Sequence, residues 1–210
     1  NVEKIVVVGS RGAPRSVGDS AVPVDVIGAD EFTSQGPSDM MTLMSSVVPS
    51  FNVNSQPIND ASTLVRPANL RGLPPDSTLV LVNGKRRHRS AVITFLGSGL
   101  SDGSQGPDIS VIPSIALKQV EILRDGAAAQ YGSDAIAGVI NFRLKDANEG
   151  GAVEIKTGEH YEGDGDLRQI SANIGLPFSD NGFANFSTEF KQSDPTSRSV
   201  QRGDADVPEP

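Results

Sequence analysis

Residues 119–145, QVEILRDGAAAQYGSDAIAGVINFRLK, constrain the possible fold more than any other part of the chain. The segment begins with alternating polar and apolar side chains at residues 120–124, a pattern typical of a half-buried strand. A turn at residues 125–126 and a run of small residues follow, and residues 139–144 form a second apolar strand. Two strands joined by a corner with almost no bulky side chains predict a close-packed unit, and nothing in this unit indicates catalysis.

The same segment resembles the signature of the plug domain of TonB-dependent outer-membrane receptors. In that family, a strand VE-(I/V)-L-(R/K)-(D/G)-G leads into YG-S-x-A-x-x-G-V-I-N, and these motifs match residues 120–126 and 131–141. Two further family motifs precede them in the expected order, NLRG at residues 69–72 and LVLVNGKR at residues 79–86. The resemblance covers residues 20–147 and implies a domain that fills the lumen of a β-barrel.

We therefore predict an α+β fold, in which a plug domain with a small mixed β-sheet, short helices and long loops precedes truncated antiparallel β-barrel strands. The expected organisation is a flexible N-terminal tail at residues 1–19, the plug domain at residues 20–147, and the first, incomplete barrel strands at residues 148–210. A tail rich in Gly, Ser, Pro and Arg cannot bury itself, so we expect it to be mobile.

Local patterns predict the elements of the plug. A helix is expected from Pro37 to Pro49, because Pro favours the first turn of a helix and also excludes the residue before it from the helical region. Asn83 and Gly84 predict a hairpin turn. The remaining expectations are strands at residues 23–28, 51–53, 64–65 and 79–82, a long flexible loop at residues 97–108, and one helical turn at residues 113–118.

The last part of the chain alternates polar and apolar side chains at residues 152–158, 168–175 and 182–190. This alternation is the weak signature of an outer-membrane β-barrel, and an ordinary antiparallel meander is the alternative. Barrel strands need ~9–11 residues each, so about three or four strands fit here, against about 22 in transporters of this kind. We therefore expect the chain to be a fragment cut at Pro210.

Composition limits the other function classes. The net charge of −8 argues against a nucleic-acid partner, because such proteins neutralise phosphates. Without Cys, neither a disulfide framework nor a thiolate metal site is possible. The two histidines, His88 and His160, lack metal-ligand spacing, and no GxSxG elbow is present. We predict no enzyme activity, no catalytic residue, no metal ion and no cofactor.

The N-terminal residues Ile5, Val6, Val7 and Val8 resemble the TonB box, the short segment through which these receptors contact the inner-membrane protein TonB. The resemblance implies that the C-terminal domain of TonB is a partner. An extended peptide can add a strand to an exposed sheet edge, and β-branched residues favour that extended backbone. The alternative is that these residues are simply the first strand of the domain.

Arg71 and Arg124 each lie at a strand end inside a family motif, and Glu121 belongs to the same motif as Arg124. The resemblance implies that the arginines pair with carboxylates of the barrel wall, most of which is missing from this chain, and that Glu121 joins them. A guanidinium suits this role because it presents a fixed fork of donors. The alternative is that the arginines are solvated at the surface.

The resemblance also implies that the loops at residues 55–63 and 86–108 face the cell exterior and touch a small-molecule substrate. Arg86, Arg87, His88 and Arg89, here called the basic segment, form a local cationic cluster in an acidic protein. Such a cluster can attract an anionic ligand such as a ferric siderophore. A solvated basic loop is the commoner outcome for a charge run, and a carbohydrate substrate stays open as well.

The predicted function is therefore a gate for energy-coupled uptake of a scarce nutrient across the outer membrane of a Gram-negative bacterium. The plug is expected inside the barrel lumen and the N-terminal tail in the periplasm. The alternative from another class is a soluble periplasmic binding or signalling module that shares the plug fold.

Overall fold

The computed structural model describes residues 5–6, 15–16, 23–34, 40–53, 65–95, 99–124, 127–179 and 182–196. The helices are α1 (Ala29–Thr33), α2 (Met40–Val47) and α3 (Ala128–Tyr131). The strands are β1 (Ile5–Val6), β2 (Arg15–Ser16), β3 (Val24–Gly28), β4 (Phe51–Val53), β5 (Ala68–Leu70), β6 (Thr78–Val82), β7 (Lys85–Arg86), β8 (Leu117–Leu123), β9 (Gly138–Leu144), β10 (Gly151–Gly158), β11 (Leu167–Ser179) and β12 (Gly182–Ser193).

A central five-stranded sheet has the order β3-β8-β9-β6-β7. Strands β6 and β9 are parallel, with Thr78 opposite Gly138, whereas the other neighbouring pairs are antiparallel. The sheet is therefore mixed, and the predicted α+β plug fold with short helices is confirmed. A separate three-stranded antiparallel sheet contains β10, β11 and β12 in chain order.

The segment at residues 119–145 folds as a strand, a small-residue corner and a second strand. Strand β8 leads into α3, a short 3₁₀ turn at Ser133–Ala135 follows, and β9 returns beside β8. Gly132 ends α3 with a φ of 90°, a conformation that glycine adopts without steric cost. The predicted strand–corner–strand unit is therefore present, although residues 125–126 lie outside the described residues.

The two faces of the central sheet carry different apolar clusters. The larger core lies between one face and α2, whose Met40, Met41, Leu43 and Met44 are buried because the apolar residues recur at helical spacing. The smaller cluster lies under the corner on the opposite face, where Ala127 and Ala135 cover Val24, Leu79, Leu81, Leu123 and Val139. Small side chains at the corner therefore bring its backbone close to the sheet.

Two local predictions differ from the structure, and one helix was not predicted. The partner of β4 is β5, with Phe51 opposite Leu70; of the strand predicted at residues 64–65, residue 64 lies outside the described residues and Val65 is not part of a strand. Pro67 accounts for this shift, because proline has no N–H to donate and the pairing starts after it. The turn predicted at residues 113–118 is a 3₁₀ turn only at Ser114–Ala116, and Leu117 already belongs to β8. Helix α1 was not predicted, since five residues are too few to show a helical period.

The three-stranded sheet has one apolar and one polar face. The register places Ile155 opposite Ile170, and Ile170 opposite Phe190, so these side chains share a face. All three are exposed, with 71%, 52% and 64% of their surface accessible, respectively. The predicted alternating strands are therefore present, and each is longer than its sequence pattern indicated.

At the N-terminus, β1 pairs with β2 in antiparallel register, with Ile5 opposite Ser16 and Val6 opposite Arg15. The extended backbone predicted for this segment is present at Ile5 and Val6, whereas Val7 and Val8 lie outside the described residues. Within the described ranges, none of the helices is long and apolar enough to cross a membrane.

Candidate functional site

The hairpin β6–β7 directs the basic segment back toward the start of β6. Asn83 and Gly84 have positive φ angles of 49° and 76°, as a tight hairpin turn between twisted strands requires. The backbone N–H of Arg87 donates to Val80 O at 2.9 Å, so the pairing continues for one residue beyond β7. The predicted hairpin is therefore present, and the chain beyond Arg87 lies near the end of the sheet where β6 begins.

The loop after the basic segment, residues 90–108, is here called the long loop. Its described part is organised around the buried side chain of Thr94, whose hydroxyl contacts Ser101 O and lies 3.1 Å from Ser104 Oγ. Ser101 Oγ in turn donates to Asn69 Oδ1 at 3.1 Å, which fastens the loop to β5. Residues 97–108 were predicted to be flexible, but residues 99–108 have an internal hydrogen-bond network instead.

The base of the long loop is fastened separately. The backbone N–H of Gln105 donates to Asp76 Oδ1 at 3.0 Å, and Gln105 Nε2 donates to Ser90 O at 2.8 Å. Since Asp76 lies two residues before the start of β6, this contact places the loop over the start of the strand. The other loop predicted to face ligand, residues 55–63, lies outside the described residues.

Replacing Thr94 with valine is expected to loosen the long loop while keeping side-chain volume. The loss of hydroxyl hydrogen bonds in a buried position should cost about 1–3 kcal/mol of local stability. Hydrogen exchange at the amides of Gly103 and Ser104 measures this change, because both groups bond within the loop. Thr188→Val, on an exposed surface of β12, is the matched control, and equal exchange rates in both variants would contradict the role of Thr94.

Within the basic segment, the four side chains have different surroundings. Arg86 forms an ion pair with Asp134, a residue of the 3₁₀ turn at Ser133–Ala135. Arg87 is half-buried, whereas His88 and Arg89 are exposed. The four predicted residues are therefore adjacent in space, but Arg86 is engaged within the domain.

Arg71 and Arg124 meet at one end of the central sheet. Arg71 Nη1 donates to Arg124 O at 2.6 Å, and Arg124 forms a two-pronged contact with Asp25, Nε to Oδ2 and Nη2 to Oδ1, both at 2.8 Å. Both arginines are exposed. The structure thus brings the two predicted anchor residues together and adds Asp25, which sequence patterns did not single out.

Glu121 lies apart from the solvent-exposed surface. It is fully buried, and its carboxylate accepts hydrogen bonds from Gln119 Nε2 at 2.8 Å and from Asn141 Nδ2 at 3.0 Å. Asn141 Oδ1 accepts the N–H of Gly84 at 2.9 Å, so one amide side chain joins the hairpin to the buried carboxylate. These contacts give Glu121 a role inside the central sheet, and its predicted contact with a barrel wall stays a prediction.

Polar side chains form a ladder on the polar face of the three-stranded sheet. Gln169 Nε2 donates to Glu189 Oε2 at 3.0 Å, and Asn173 Nδ2 donates to Asn185 Oδ1 at 2.6 Å and to Ser187 Oγ at 2.8 Å. Gln169 and Asn173 are buried, although this face carries few apolar groups. Cross-strand polar pairs therefore line this face, although Gln169 Oε1 has no hydrogen-bond partner among the described residues.

This polar face is the one that lies against the plug. The turn Ser114–Ala116 contacts both β11 and β12. A cavity of about 500 Å³ separates Asn83 and Arg143 of the plug from Phe183 and Asn185 of β12. The plug and the three-stranded sheet therefore meet along a polar surface that leaves space for water.

The connection between plug and three-stranded sheet carries an ion pair. Lys118 Nζ contacts the two carboxylate oxygens of Asp146 at 2.9 and 3.0 Å. The hydrogen bond from Lys118 holds the pKa of Asp146 below its ordinary value of 3.8, against the opposing effect of partial burial. Both side chains are about half exposed, so solvent screens the interaction.

We expect Asp146→Asn to lower the free energy of unfolding by less than about 1 kcal/mol at neutral pH. Because the folded-state pKa is lowered, the stabilisation is present above the ordinary pKa and is lost as the pH falls through the folded pKa. Urea unfolding of both proteins across this range measures the difference. A difference that stays constant on acidification would contradict the ion pair as its source.

Comparison with known proteins gives consistent matches. The family described as "TonB-dependent Receptor Plug Domain" matches residues 16–139. The ferric enterobactin receptor of Pseudomonas aeruginosa is 26% identical over 161 residues, which cover 75% of this chain and 21% of that protein. An iron-regulated outer membrane virulence protein of Vibrio cholerae is 27% identical over 182 residues, covering 85% of this chain and 26% of that protein.

A solved structure shows the same fold. The crystal structure of a mutant ferric enterobactin receptor from Pseudomonas aeruginosa, in complex with enterobactin, superimposes with a TM-score of 0.65 at 22% identity. The superposition covers 83% of this chain and 25% of that receptor. The chain thus spans about a fifth to a quarter of the length of these relatives.

Proposed function

Since the chain belongs to the family of TonB-dependent receptor plug domains, we propose that it gates the energy-coupled uptake of a ferric siderophore across the outer membrane of a Gram-negative bacterium. The observation that supports a gate best is the arrangement of the two sheets. The three-stranded sheet turns its polar face to the plug and its apolar face outward, as a barrel strand does between lumen and lipid.

The outward face supports placement in a membrane. It carries exposed apolar side chains from all three strands, among them Val153, Ile174, Leu176 and Phe186. A water-soluble protein rarely exposes such a large apolar patch. The surface therefore favours an outer-membrane receptor over a soluble periplasmic module.

The segment that resembles the TonB box, residues 5–8, is proposed as the attachment point for TonB. Ile5 and Val6 are already extended, since they form β1. Main-chain hydrogen bonds from an extended segment to a sheet edge of TonB would transmit a pull along the tail to β3, the strand that follows it in the central sheet. Energy from the inner membrane would in this way reach the plug.

The basic segment and the long loop are proposed as the ligand face. Two features support this: cationic side chains lie at the start of the loop, and the loop is ordered by its own hydrogen bonds. An ordered loop loses less conformational entropy when a ligand binds. The relatives named as ferric enterobactin receptors favour a ferric siderophore as the cargo.

Arg71 and Arg124 are proposed to hold the plug in its barrel. Asp25 accepts hydrogen bonds from Nε and Nη2 of Arg124. The other terminal nitrogen of the Arg124 guanidinium can therefore donate to a carboxylate of the barrel wall. Asp25 would then orient Arg124 toward the wall. Glu121 is held inside the central sheet by Asn141, which joins it to the Asn83–Gly84 hairpin at the opposite end of the sheet.

Passive leakage tests the gate. In the complete gene product that carries this chain, Arg71→Ala and Arg124→Ala should admit a large antibiotic that the wild-type receptor excludes. The reason is that each lost charge-assisted hydrogen bond weakens plug retention by about 1.5–3 kcal/mol. Arg168→Ala, an exposed residue near the start of β11, is the control. Wild-type permeability in both anchor variants would argue against these residues as anchors.

A further inference from the structure

A small cleft lies between the start of β6 and the basic segment. Its volume is about 100 Å³, room for about three water molecules or for one oxyanion group. The lining residues that matter are Asp76, Thr78, Arg86, Arg87, Arg89 and Gln105. The cleft is therefore bounded by the strand, by the basic segment and by the base of the long loop.

Two polar atoms of the residues that line this cleft have no hydrogen-bond partner among the residues that the structure describes. They are Thr78 Oγ1 and Arg87 Nε, and both atoms are buried. Thr78 as a whole is 4% exposed. An unsatisfied buried donor costs free energy, so two of them beside one cavity indicate an occupant that accepts hydrogen bonds.

The charges of the cleft point to an anion. Its two carboxylates are engaged, Asp134 by Arg86 and Asp76 by the backbone N–H of Gln105. Within the described part of the chain, no carboxylate lies within ion-pair distance of Arg87 or Arg89. Positive charge therefore exceeds negative charge at the site where the unsatisfied donors lie.

We propose that this cleft binds one oxyanion group of a ligand, a carboxylate or a phosphate. The Thr78 hydroxyl and Arg87 Nε donate to its oxygens, and Arg89 adds long-range attraction. The inference rests on the proposed ligand face and deepens it, because it names the chemical group that this face recognises. Since Gln105 also holds the base of the long loop, occupation of the cleft stabilises the loop as well.

Calorimetric titration of the complete gene product in detergent tests the cleft, with inorganic phosphate in one arm and citrate in the other. Thr78→Val removes the hydroxyl but keeps the branched shape of the side chain, and Arg87→Gln removes the positive charge and the forked set of N–H donors. Each should weaken binding about tenfold, the effect of losing a hydrogen bond to a charged group. The control is Lys85→Gln, which removes an exposed charge next to the cleft but outside its lining and should change affinity less than about twofold at fixed ionic strength.

Binding of phosphate alone, of citrate alone or of both supports the oxyanion cleft and identifies the group it takes. Absence of binding in both arms, or equal weakening by Lys85→Gln, overturns it and leaves water as the occupant. Thermal unfolding of each variant separates loss of binding from loss of fold. TonB-dependent uptake measured alongside keeps the two proposals distinct: uptake without oxyanion binding rejects the cleft alone, and uptake that is independent of TonB rejects the proposed function.

Discussion

Gly138→Ala is expected to destabilise the plug by about 3 kcal/mol or more, a large effect for one methyl group. Gly138 begins β9 with a φ of 144°, a conformation that L side chains rarely adopt. An added Cβ would also overlap the carbonyl oxygen of Leu123 and lie 2.7 Å from Leu70 Cδ2. The carbonyl belongs to the backbone of β8, so no side-chain rotation relieves the overlap.

Two measurements report this effect: the midpoint of urea unfolding and the hydrogen-exchange protection of β8 and β9. Gly28→Ala is the matched control, because its φ is not positive and an added Cβ meets no atom within 4 Å. That variant should stay within about 1 kcal/mol of wild type. Equal midpoints for the two variants would show that the close approach of β9 to β8 is not what requires glycine.

Asn141→Ala should have the second large effect, about 2–4 kcal/mol. It removes one donor from the buried carboxylate of Glu121 and leaves the N–H of Gly84 without its acceptor. Glu121→Ala and the double variant complete a cycle, and a coupling of about 1 kcal/mol or more between the two residues is expected.

Glu159→Ala is the control for this cycle, since Glu159 is exposed and its loss should change stability by no more than about 0.5 kcal/mol. Additive effects of the two single variants would contradict the relay from the hairpin through Asn141 to Glu121. An effect of Asn141→Ala similar to that of the control would show that the buried polar layer contributes no stability.

Local patterns in the sequence were sufficient for the elements that rest on local physics. The Asn83–Gly84 turn, the corner between β8 and β9 and the alternation in β10, β11 and β12 follow from turn chemistry and side-chain periodicity. The plug family was identified from the residues at these positions. Short elements without a period, such as α1, were not predictable in this way.

The contacts that define the site could not be predicted from the sequence, because they join residues that are far apart in the chain. Asp25 and Arg124 are 99 positions apart, and Ser101 meets Asn69 across 32 positions. A loop rich in Gly and Ser is typical of a flexible segment, yet Thr94 orders this one from inside. Likewise, the motif containing Glu121 marks a charged residue but does not say that the sheet buries it.

Coupling to TonB is the central claim, and direct binding tests it without knowledge of the cargo. We expect the purified C-terminal domain of TonB to bind the complete gene product. Val6→Pro should weaken that binding at least about tenfold, because proline removes an N–H that strand addition needs. Ser16→Pro changes the partner strand β2 in the same way but leaves the box intact, and it should bind at least as tightly as wild type. No binding by the wild type, or equal binding after Val6→Pro, would contradict the coupling role.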